Sequence, residues 1–457
     1  MFPGLRPRSL VRKTKGELRS MSCDDERSER FSLMMTPVEH RPTLHLSLMQ
    51  DKNPNGTHPR LVGRLKHMSL SQRLSPFTAR LAHILTAKQT VKALATRSSI
   101  EKAPLAIFFA GPVGDIYQVS QWTPVFEKIN TELPSILLVK DARSASVLAK
   151  LTTLPIRLAG HADAIEPLVD RLGIKAMFYV NNNLANFSVL RLPTVTHIHL
   201  SHGESEKVSM VSNQLKAYDY CFVAGEASIK RISSTLQHFD KSRLKLVGRP
   251  QLDQLFSAKS FPQVPGRKTV LYAPTWEGDR PAMAYSSVDS VGIKWVTDIL
   301  QEPSLRLIYR PHPKTGSRSK STLAANQTIK KLIAEKVSQD PQTGHLFDMQ
   351  PDYHTALVSA DVAIFDISAM AMDFSVLERA FLVTCPQKLE VSMSRSLLWD
   401  AARKIYPEQE KDIVAIIREI LTGGPMPGAS SFVVEHFGKV GAGFGLERFA
   451  AAIKAEI

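Results

Sequence analysis

The sequence predicts two doubly wound α/β domains that face one another across a cleft, preceded by a basic extension. Two observations lead to this prediction. From residue 104 onward, short apolar runs alternate with helical patterns, which is typical of parallel sheets covered by helices. The alternation is interrupted once, by a segment at 257–267 that contains proline and glycine. A chain of 457 residues also exceeds one typical core. We therefore expect an N-terminal Rossmann-like domain over 104–258 and a C-terminal Rossmann-like domain over 268–457.

Each predicted strand is a short, mostly apolar run, as expected for strands buried on both faces. In the first domain these runs lie at 105–110, 135–139, 155–158, 175–180, 196–200, 218–223 and 244–247. In the second domain they lie at 269–273, 305–310, 344–347, 362–365 and 381–384. Helices are predicted at about 119–133, 290–301, 322–337, 352–359, 369–379 and 410–422. A last helical segment, 446–455, is expected to cross back to the first domain.

The basic charge is concentrated in the N-terminal region. Residues 1–103 carry 19 Lys and Arg against 8 Asp and Glu, whereas the rest of the chain carries 39 against 35. Residues 1–75 have no hydrophobic period and are expected to be disordered. Residues 76–103 form an amphipathic helical segment with basic residues among Leu81, Ile84 and Leu94. This segment either packs on the first domain or lies on an anionic membrane surface.

Several function classes are disfavoured by what the sequence lacks. No apolar stretch approaches the ~18 residues of a membrane-spanning helix, and no secretory signal is expected. The cysteines Cys23, Cys221 and Cys385 are far apart, which indicates a reducing compartment without disulfides. Neither a G-x-G-x-x-G fingerprint nor a Walker loop is present, which argues against a dehydrogenase or a P-loop ATPase. We expect no metal in the site and no cofactor. The basic tail lacks a nucleic-acid-binding module, so no specific nucleic acid is expected.

Two histidines follow predicted strands, one in each domain. His202 stands in Ser-His-Gly and His312 in Arg-Pro-His-Pro. Ligands bind outside the carboxyl ends of strands in open α/β sheets, so both histidines are candidate site residues. An imidazole near neutrality can accept a hydroxyl proton, whereas a rigidly placed imidazole and the Arg310 guanidinium suit phosphate charge. Taken alone, each histidine favours a structural interpretation over a functional one.

Further candidates lie at strand ends of the second domain. Thr275 offers a hydroxyl, and Trp276 offers a flat face that either stacks on a ligand or belongs to the core. Asp366 and Ser368 follow another strand and open a helix. The start of a helix can bind phosphate, while Ser368 also has the residue type of an N-cap.

These pieces form an ordered series that resembles the CDP-glycerol glycerophosphotransferase family, the teichoic acid primases and polymerases of bacterial walls. The resemblance spans roughly 195–385. Its members are His202-Gly203 with Lys207; Gly248-Arg249-Pro250 with Asp253; Leu271-Tyr272-Ala273-Pro274-Thr275-Trp276; Arg310-Pro311-His312-Pro313; and Ala360-Asp361 followed by Asp366, Ser368 and Asp373-Phe374.

The resemblance implies a GT-B-like fold whose C-terminal half holds the donor. It implies transfer of glycerol phosphate from CDP-glycerol to a hydroxyl acceptor, with release of CMP. His202 would be the base and His312 would lie near the donor diphosphate. The donor-binding candidates are Thr275, Trp276, Arg310, Asp366 and Ser368. Gly203 and Lys207 are candidates on the acceptor side of the cleft. A lipid-linked glycan or polyol-phosphate acceptor would place the enzyme at the inner face of the cell membrane.

The sequence departs from the family pattern at several positions, so the donor stays open. Ser201 replaces an aromatic residue, Glu204-Ser205 replaces Thr-Pro, and Glu277 stands where a basic residue is frequent. Ile367 and Ala369 replace the tyrosine and second serine of Asp-Tyr-Ser-Ser. The alternatives are a GT-B glycosyltransferase that uses a nucleotide-sugar and a non-catalytic nucleotide- or polyanion-binding relative.

Overall fold

Two parallel β-sheets, each covered by helices on both faces, form the body of the protein. The computed structural model describes Gln89, Leu94 and residues 100–159, 162–207, 210–384, 386–387, 397–408, 412–425 and 427–457. The described residues belong to one compact unit. The predicted GT-B-like architecture of two doubly wound sheets is confirmed.

The first sheet has seven parallel strands in the order β3-β2-β1-β4-β5-β6-β7. The strands are β1 (Leu105–Phe109), β2 (Ser135–Val139), β3 (Ile156–Leu158), β4 (Ala176–Tyr179), β5 (Thr196–His199), β6 (Tyr220–Val223) and β7 (Leu244–Leu246). Strand order reverses beside β1, and the crevice at such a switch point is where open α/β sheets bind ligands. All seven strands were predicted from their apolar runs, to within two residues at each end.

The second sheet has six parallel strands in the order β10-β9-β8-β11-β12-β13. They are β8 (Lys268–Ala273), β9 (Leu305–Tyr309), β10 (Leu346–Phe347), β11 (Val362–Asp366), β12 (Phe381–Thr384) and β13 (Arg403–Ile405). Strand β13 was not predicted. It is a three-residue edge strand that begins with two exposed basic residues, so it carries no apolar run.

The α-helices are α1 (Ile116–Ser120), α2 (Thr123–Ile129), α3 (Ala142–Leu151), α4 (Glu166–Leu172), α5 (Glu226–Thr235), α6 (Ile293–Gln301), α7 (Lys320–Gln339), α8 (His354–Ser359), α9 (Ala369–Ser375), α10 (Leu398–Ala401), α11 (Ile413–Gly423), α12 (Ala429–Phe437) and α13 (Phe444–Glu456). The single helix predicted at 119–133 is wrong. It is two helices, because Pro124 lies in the first turn of α2, where proline is tolerated, and cannot continue a helix interior. No bounds were predicted for α3, α4, α5, α10 and α12.

Alternation along β1 shows why the sheet is buried on both faces. Leu105, Ile107 and Phe109 pack in one apolar core, and Ala106 and Phe108 pack in the core on the opposite face. The second sheet likewise separates two cores. These layers fix the strands, so the loops at their carboxyl ends project from rigid supports.

Helix α13 crosses back to the first sheet, as predicted. Phe449 and Ile453 are fully buried in the core that contains β1. Asp253 accepts the backbone N–H groups of Gly445 and Leu446 at 3.0 and 2.8 Å, which fixes the start of the helix. The domain boundaries at 104–258 and 268–457 stay predictions.

The N-terminal extension lies almost entirely outside the described residues. Of the predicted segment 76–103, Gln89 and Leu94 are helical, and Leu94 is 5% exposed and packs in the first-sheet core. The prediction for residues 1–75 falls outside the described part. Among the described residues, no helix is both long enough and apolar enough to span a membrane.

Candidate active site

The loop after β5 presents His202 in a constrained conformation. The preceding residue, Ser201, has φ 61°, which is a left-handed conformation that non-glycine residues rarely adopt. The Trp122 indole N–H donates to the Ser201 carbonyl at 2.6 Å, and the Ser201 hydroxyl donates to the Gly203 carbonyl at 3.2 Å. Backbone strain of this kind persists only where the surroundings hold it, and it concentrates at functional sites.

Gly203 marks a close approach between the two halves of the molecule. A Cβ added there would lie 2.9 Å from the Cβ of Ala369, the first residue of α9. Because real Cβ atoms do not approach so closely, a side chain at Gly203 would force the halves apart. The loop that carries His202 therefore rests against the start of α9.

His202 is half-buried, and its ring N–H donates to the backbone carbonyl of Val180. Burial, together with the Arg249 and Lys207 charges, lowers the pKa of His202 to about 4. The imidazole is therefore neutral at pH 7. With one nitrogen committed as a donor to Val180, the other nitrogen carries a free lone pair.

His312 is held by the opposite hydrogen-bond pattern. Its Nδ1 accepts the backbone N–H of Lys314 at 3.1 Å, and its ring stacks on Trp276 with centroids 6.1 Å apart. Burial lowers its pKa well below the ordinary value, and the nearby charges of Lys207 and Lys314 lower it further. In the neutral ring, an accepting Nδ1 leaves the proton on Nε2, so His312 presents an N–H donor.

Tyr117 on α1 brings the two histidines to one place in the cleft. Its ring centroid lies 5.7 Å from that of His202 and 5.0 Å from that of His312, with edge-on geometry at both. Burial raises the pKa of Tyr117 to about 12, so it stays a neutral phenol. Tyr117 was not predicted as a site residue. Its position in the first α-helix after β1, at the same sheet edge as His202, is the signal that was available.

Lys207 spans the cleft from the first half to the second. Its Nζ donates to the Thr275 hydroxyl at 3.0 Å and lies 5.6 Å from the Tyr285 ring centroid. Burial lowers the pKa of Lys207 to about 8, against the opposing charge of Asp366. Lys207 is thus a cation at pH 7 that titrates close to the physiological range.

Asp366 is fully buried and organises the loop that carries Thr275. It accepts the backbone N–H groups of Thr275 and Ser287 at 2.8 and 3.1 Å and also accepts the Thr384 hydroxyl. Burial raises its pKa to about 6, against these hydrogen bonds. The geometry gives Asp366 a positioning role behind Thr275, although the sequence grouped it with donor contacts.

Ser368 and Trp276 occupy the second-half wall. The Ser368 hydroxyl accepts the Ala371 N–H at 3.4 Å, so it caps α9. The Trp276 ring lies 5.2 Å from Lys314 Nζ, and Lys314 also pairs with Asp115 of the first half. A second contact between the halves therefore lies beside His312.

Arg310 already has partners within the second half. Its guanidinium bonds to the Asp348 carboxylate and donates to the Gln350 carbonyl at 2.7 Å. These bonds tie the end of β9 to the segment after β10. They leave fewer of its N–H groups free to bind a phosphate than an unpartnered guanidinium would have.

The acidic residues that depart from the family pattern have structural partners. Glu277 accepts the backbone N–H groups of Gly316, Arg318 and Ser319 at 3.0, 2.6 and 3.1 Å, just before α7. Glu204 pairs with Arg231 and accepts the Ser228 hydroxyl at 3.0 Å. Each carboxylate is thus held in place, and its negative charge is locally compensated.

A buried ion pair joins the halves behind the histidines. The Arg249 guanidinium donates two hydrogen bonds to the Asp373 carboxylate of α9, at 2.6 and 2.8 Å. The Tyr353 hydroxyl donates to the same carboxylate at 2.8 Å. Arg249 and Asp373 side chains are 4% and 1% exposed. Both residues belong to the ordered series, but 124 residues separate them, so their pairing was not visible in the sequence.

No group of His, Cys, Asp and Glu side chains suited to a metal ion occurs among the described residues. The expectation that transfer proceeds without a metal stays a prediction.

Several solved structures are similar to this chain at low sequence identity. A UDP-N-acetylglucosamine 2-epimerase from Listeria monocytogenes has 11% identity and a TM-score of 0.50, covering 77% of this chain and 96% of that one. The wall teichoic acid polymerase TagF has 12% identity and a TM-score of 0.47, covering 84% and 98%. A glycosyltransferase from Rickettsia africae has 11% identity and a TM-score of 0.49, covering 78% and 98%. No curated protein sequence matches the chain significantly.

The two facing sheets define a GT-B-like protein. More specifically, the pattern of the CDP-glycerol:poly(glycerophosphate) glycerophosphotransferase family matches residues 171–421, and the chain belongs to that family. It is therefore an enzyme of the glycerophosphotransferase class, as the sequence resemblance predicted.

Proposed function

We propose that this enzyme transfers glycerol phosphate from CDP-glycerol to a hydroxyl acceptor in the synthesis of teichoic acid or a related wall or capsule polymer, and releases CMP. One observation carries the proposal: His202 and His312, from opposite halves, meet around Tyr117. The two rings offer a lone pair and an N–H donor, which are the groups needed at the attacking and leaving ends of a phosphoryl transfer.

In the proposed reaction, His202 takes the proton from the acceptor hydroxyl. The acceptor oxygen then bonds to the phosphorus that bears glycerol, and the bond from that phosphorus to the CMP oxygen breaks. The hydrogen bond to Val180 supports this role. It occupies one ring nitrogen of His202 as a donor, so the lone pair on the other nitrogen points away from the Val180 carbonyl. An anionic donor would raise the pKa of His202, which strengthens the base when substrate is bound.

His312 and Lys207 would stabilise the donor diphosphate. The N–H of His312 and the ammonium of Lys207 supply a hydrogen bond and a positive charge where negative charge develops on the leaving CMP. Thr275, Trp276 and Ser368 would complete the donor wall, with Asp366 positioning Thr275. Arg310 and Gly203 would contribute indirectly, by fixing the conformation of the loops in which they lie.

Donor binding tests the proposal. We expect CDP-glycerol to raise the melting temperature more than CDP or CMP does, because a ligand that binds only the folded state stabilises it. UDP-glucose and UDP-N-acetylglucosamine serve as comparison donors. Preference for a uridine sugar would instead favour sugar transfer, and a lack of response to all five compounds would contradict the proposal.

We further propose that the acceptor is lipid-linked and that the basic extension holds the enzyme at an anionic membrane surface. Residues 1–103 carry most of the excess positive charge, and such segments bind anionic lipid electrostatically. Deleting residues 1–75, which spares the packed Leu94, should abolish sedimentation with anionic vesicles at low salt. Binding to neutral vesicles is the control. Unchanged salt-sensitive binding of the truncated protein would contradict the proposal.

A further inference from the structure

A small cavity lies beneath the loop that carries His202, and its mostly apolar wall also includes several buried polar side chains. It is formed where β5, β6 and β7 end, and Ser201, Gly203 and Glu204 form part of its wall. Its volume is about 50 Å³, enough for about three or four water molecules or one small hydroxyl-bearing group. Gly203, Gly248 and Arg249 of the ordered series line this cavity, but neither His202 nor His312 does.

Three polar side chains lining the cavity have unpaired atoms. Gln251 is 0% exposed, and neither its amide nitrogen nor its amide oxygen has a hydrogen-bond partner among the described groups. His199 Nε2 and Arg231 Nε are also unpaired and buried. A buried amide without partners is costly, so atoms that complement these groups are expected in the cavity.

Charge in the cavity wall selects against an anion. The Arg231 charge is compensated by Glu204, and the Arg249 charge is compensated by Asp373. An anionic ligand would therefore meet no free positive charge and would face Glu204. The unpaired groups require both donors and acceptors, since the Gln251 amide presents one of each. Neighbouring hydroxyls on a neutral ligand meet this requirement.

We propose that this cavity binds vicinal hydroxyls of a neutral polyol, as a subsite for acceptor hydroxyls other than the one that His202 deprotonates. The proposal rests on the proposed transfer reaction. It places the polyol end directly behind the strained Ser201 backbone, next to the loop that presents His202. Gln251 and His199 are then binding residues, and occupation of the cavity supports the loop.

Glycerol is the probe, since it is a minimal polyol with vicinal hydroxyls. The variants are Gln251→Leu, which removes both amide atoms, and His199→Phe, which keeps the ring that packs on Tyr218. Gln254→Leu is the matched control, because it lies on the same 3₁₀ helix, Pro250–Phe256, and does not line the cavity. Replacing an unpaired buried amide by an apolar group is expected to preserve folding. Gln251→Met is the second variant if Gln251→Leu melts early.

The first measurement is saturation-transfer NMR of glycerol without donor. We expect the glycerol signal with wild type and Gln254→Leu to be at least about fivefold stronger than with the two cavity variants, because the lost hydrogen bonds weaken binding. Equal signals for all four proteins, or no signal with wild type, would overturn the proposal.

The second measurement separates the cavity from the reaction. With CDP-glycerol as donor, the KM for glycerol in CMP release should rise about tenfold in Gln251→Leu, while the Kd for CDP-glycerol stays within about twofold. Normal donor binding with an unchanged glycerol KM would overturn the cavity proposal alone. Absence of CDP-glycerol binding to wild type would overturn the proposed reaction, and the NMR result would still decide the cavity.

Discussion

His202 and His312 stand in similar settings, each on a loop just past a parallel strand, yet the structure gives them opposite hydrogen-bonding states. His202 donates to a backbone carbonyl, whereas His312 accepts a backbone N–H. Both rings are neutral because burial and nearby cations lower their pKa values. The first ring is left with a lone pair and the second with a proton to share. One backbone contact per ring therefore decides which histidine can act as a base.

Support for the two loops differs as well. The His202 loop is held by a distant indole, Trp122, and contains a residue with positive φ. The His312 loop is stiffened by the flanking residues Pro311 and Pro313 and by stacking on Trp276. The first loop depends on tertiary contacts, whereas much of the rigidity of the second is local.

The largest effect on the transfer rate is expected when the lone pair of His202 is removed. His202→Gln should reduce transfer by about 10³-fold, because general-base catalysis typically contributes 10²–10⁴. CDP-glycerol should bind as it does to wild type, since the donor does not need that lone pair. Rates from single-turnover CMP release and affinities from calorimetry check both statements. Turnover close to wild type would refute the assignment of His202 as the base.

A smaller effect is expected from substitutions at His312. His312→Leu removes the N–H donor and should lower kcat by about 10²-fold and weaken donor binding. His312→Gln restores an N–H donor and should recover part of both. The test is the comparison of Leu and Gln variants by kcat and by donor Kd. If Gln is as damaging as Leu, donation from His312 is not its function.

The smallest effect concerns pH. The pKa of Lys207 is lowered to about 8, so its charge is present below pH 8 and is lost as pH rises above it. Donor affinity should therefore fall by up to about tenfold between pH 7 and pH 9, because the loss of one charge-assisted contact weakens binding by about that factor. Lys207→Arg keeps its charge over this range, and its affinity should be nearly independent of pH. Calorimetric measurement of donor affinity at several pH values, for wild type and for Lys207→Arg, checks this expectation. An equal dependence of affinity on pH in the two proteins would contradict it.

Most of the fold could be predicted because parallel strands buried on both faces must be apolar along their whole length. That is why β1 through β12 are visible in the sequence while the exposed edge strand β13 is not. Family motifs likewise marked both histidines, Thr275 and Ser368. Local patterns and ordered motifs thus sufficed for the sheets and for the main candidates.

The partners of those candidates could not be predicted, since they come from remote parts of the chain. Trp122 lies 79 residues from Ser201, and Arg249 lies 124 residues from Asp373. Glu277 departs from the family pattern, and the sequence alone offers no reason for an acidic residue there. The structure provides one, because three backbone N–H groups of the loop before α7 donate to its carboxylate. Hydrogen-bonding state and pKa depend on such pairings, so the chemistry of the site needed the structure.

Helix α13 has a consequence for how the protein is made. The core of the first sheet includes Phe449 and Ile453, which are synthesised after the strands of both sheets. The first sheet is translated early but lacks these side chains until the ribosome has passed the second sheet. The final core of the first half, and with it the Phe449 contact of Trp122 beneath the His202 loop, is completed only after the second half has been made.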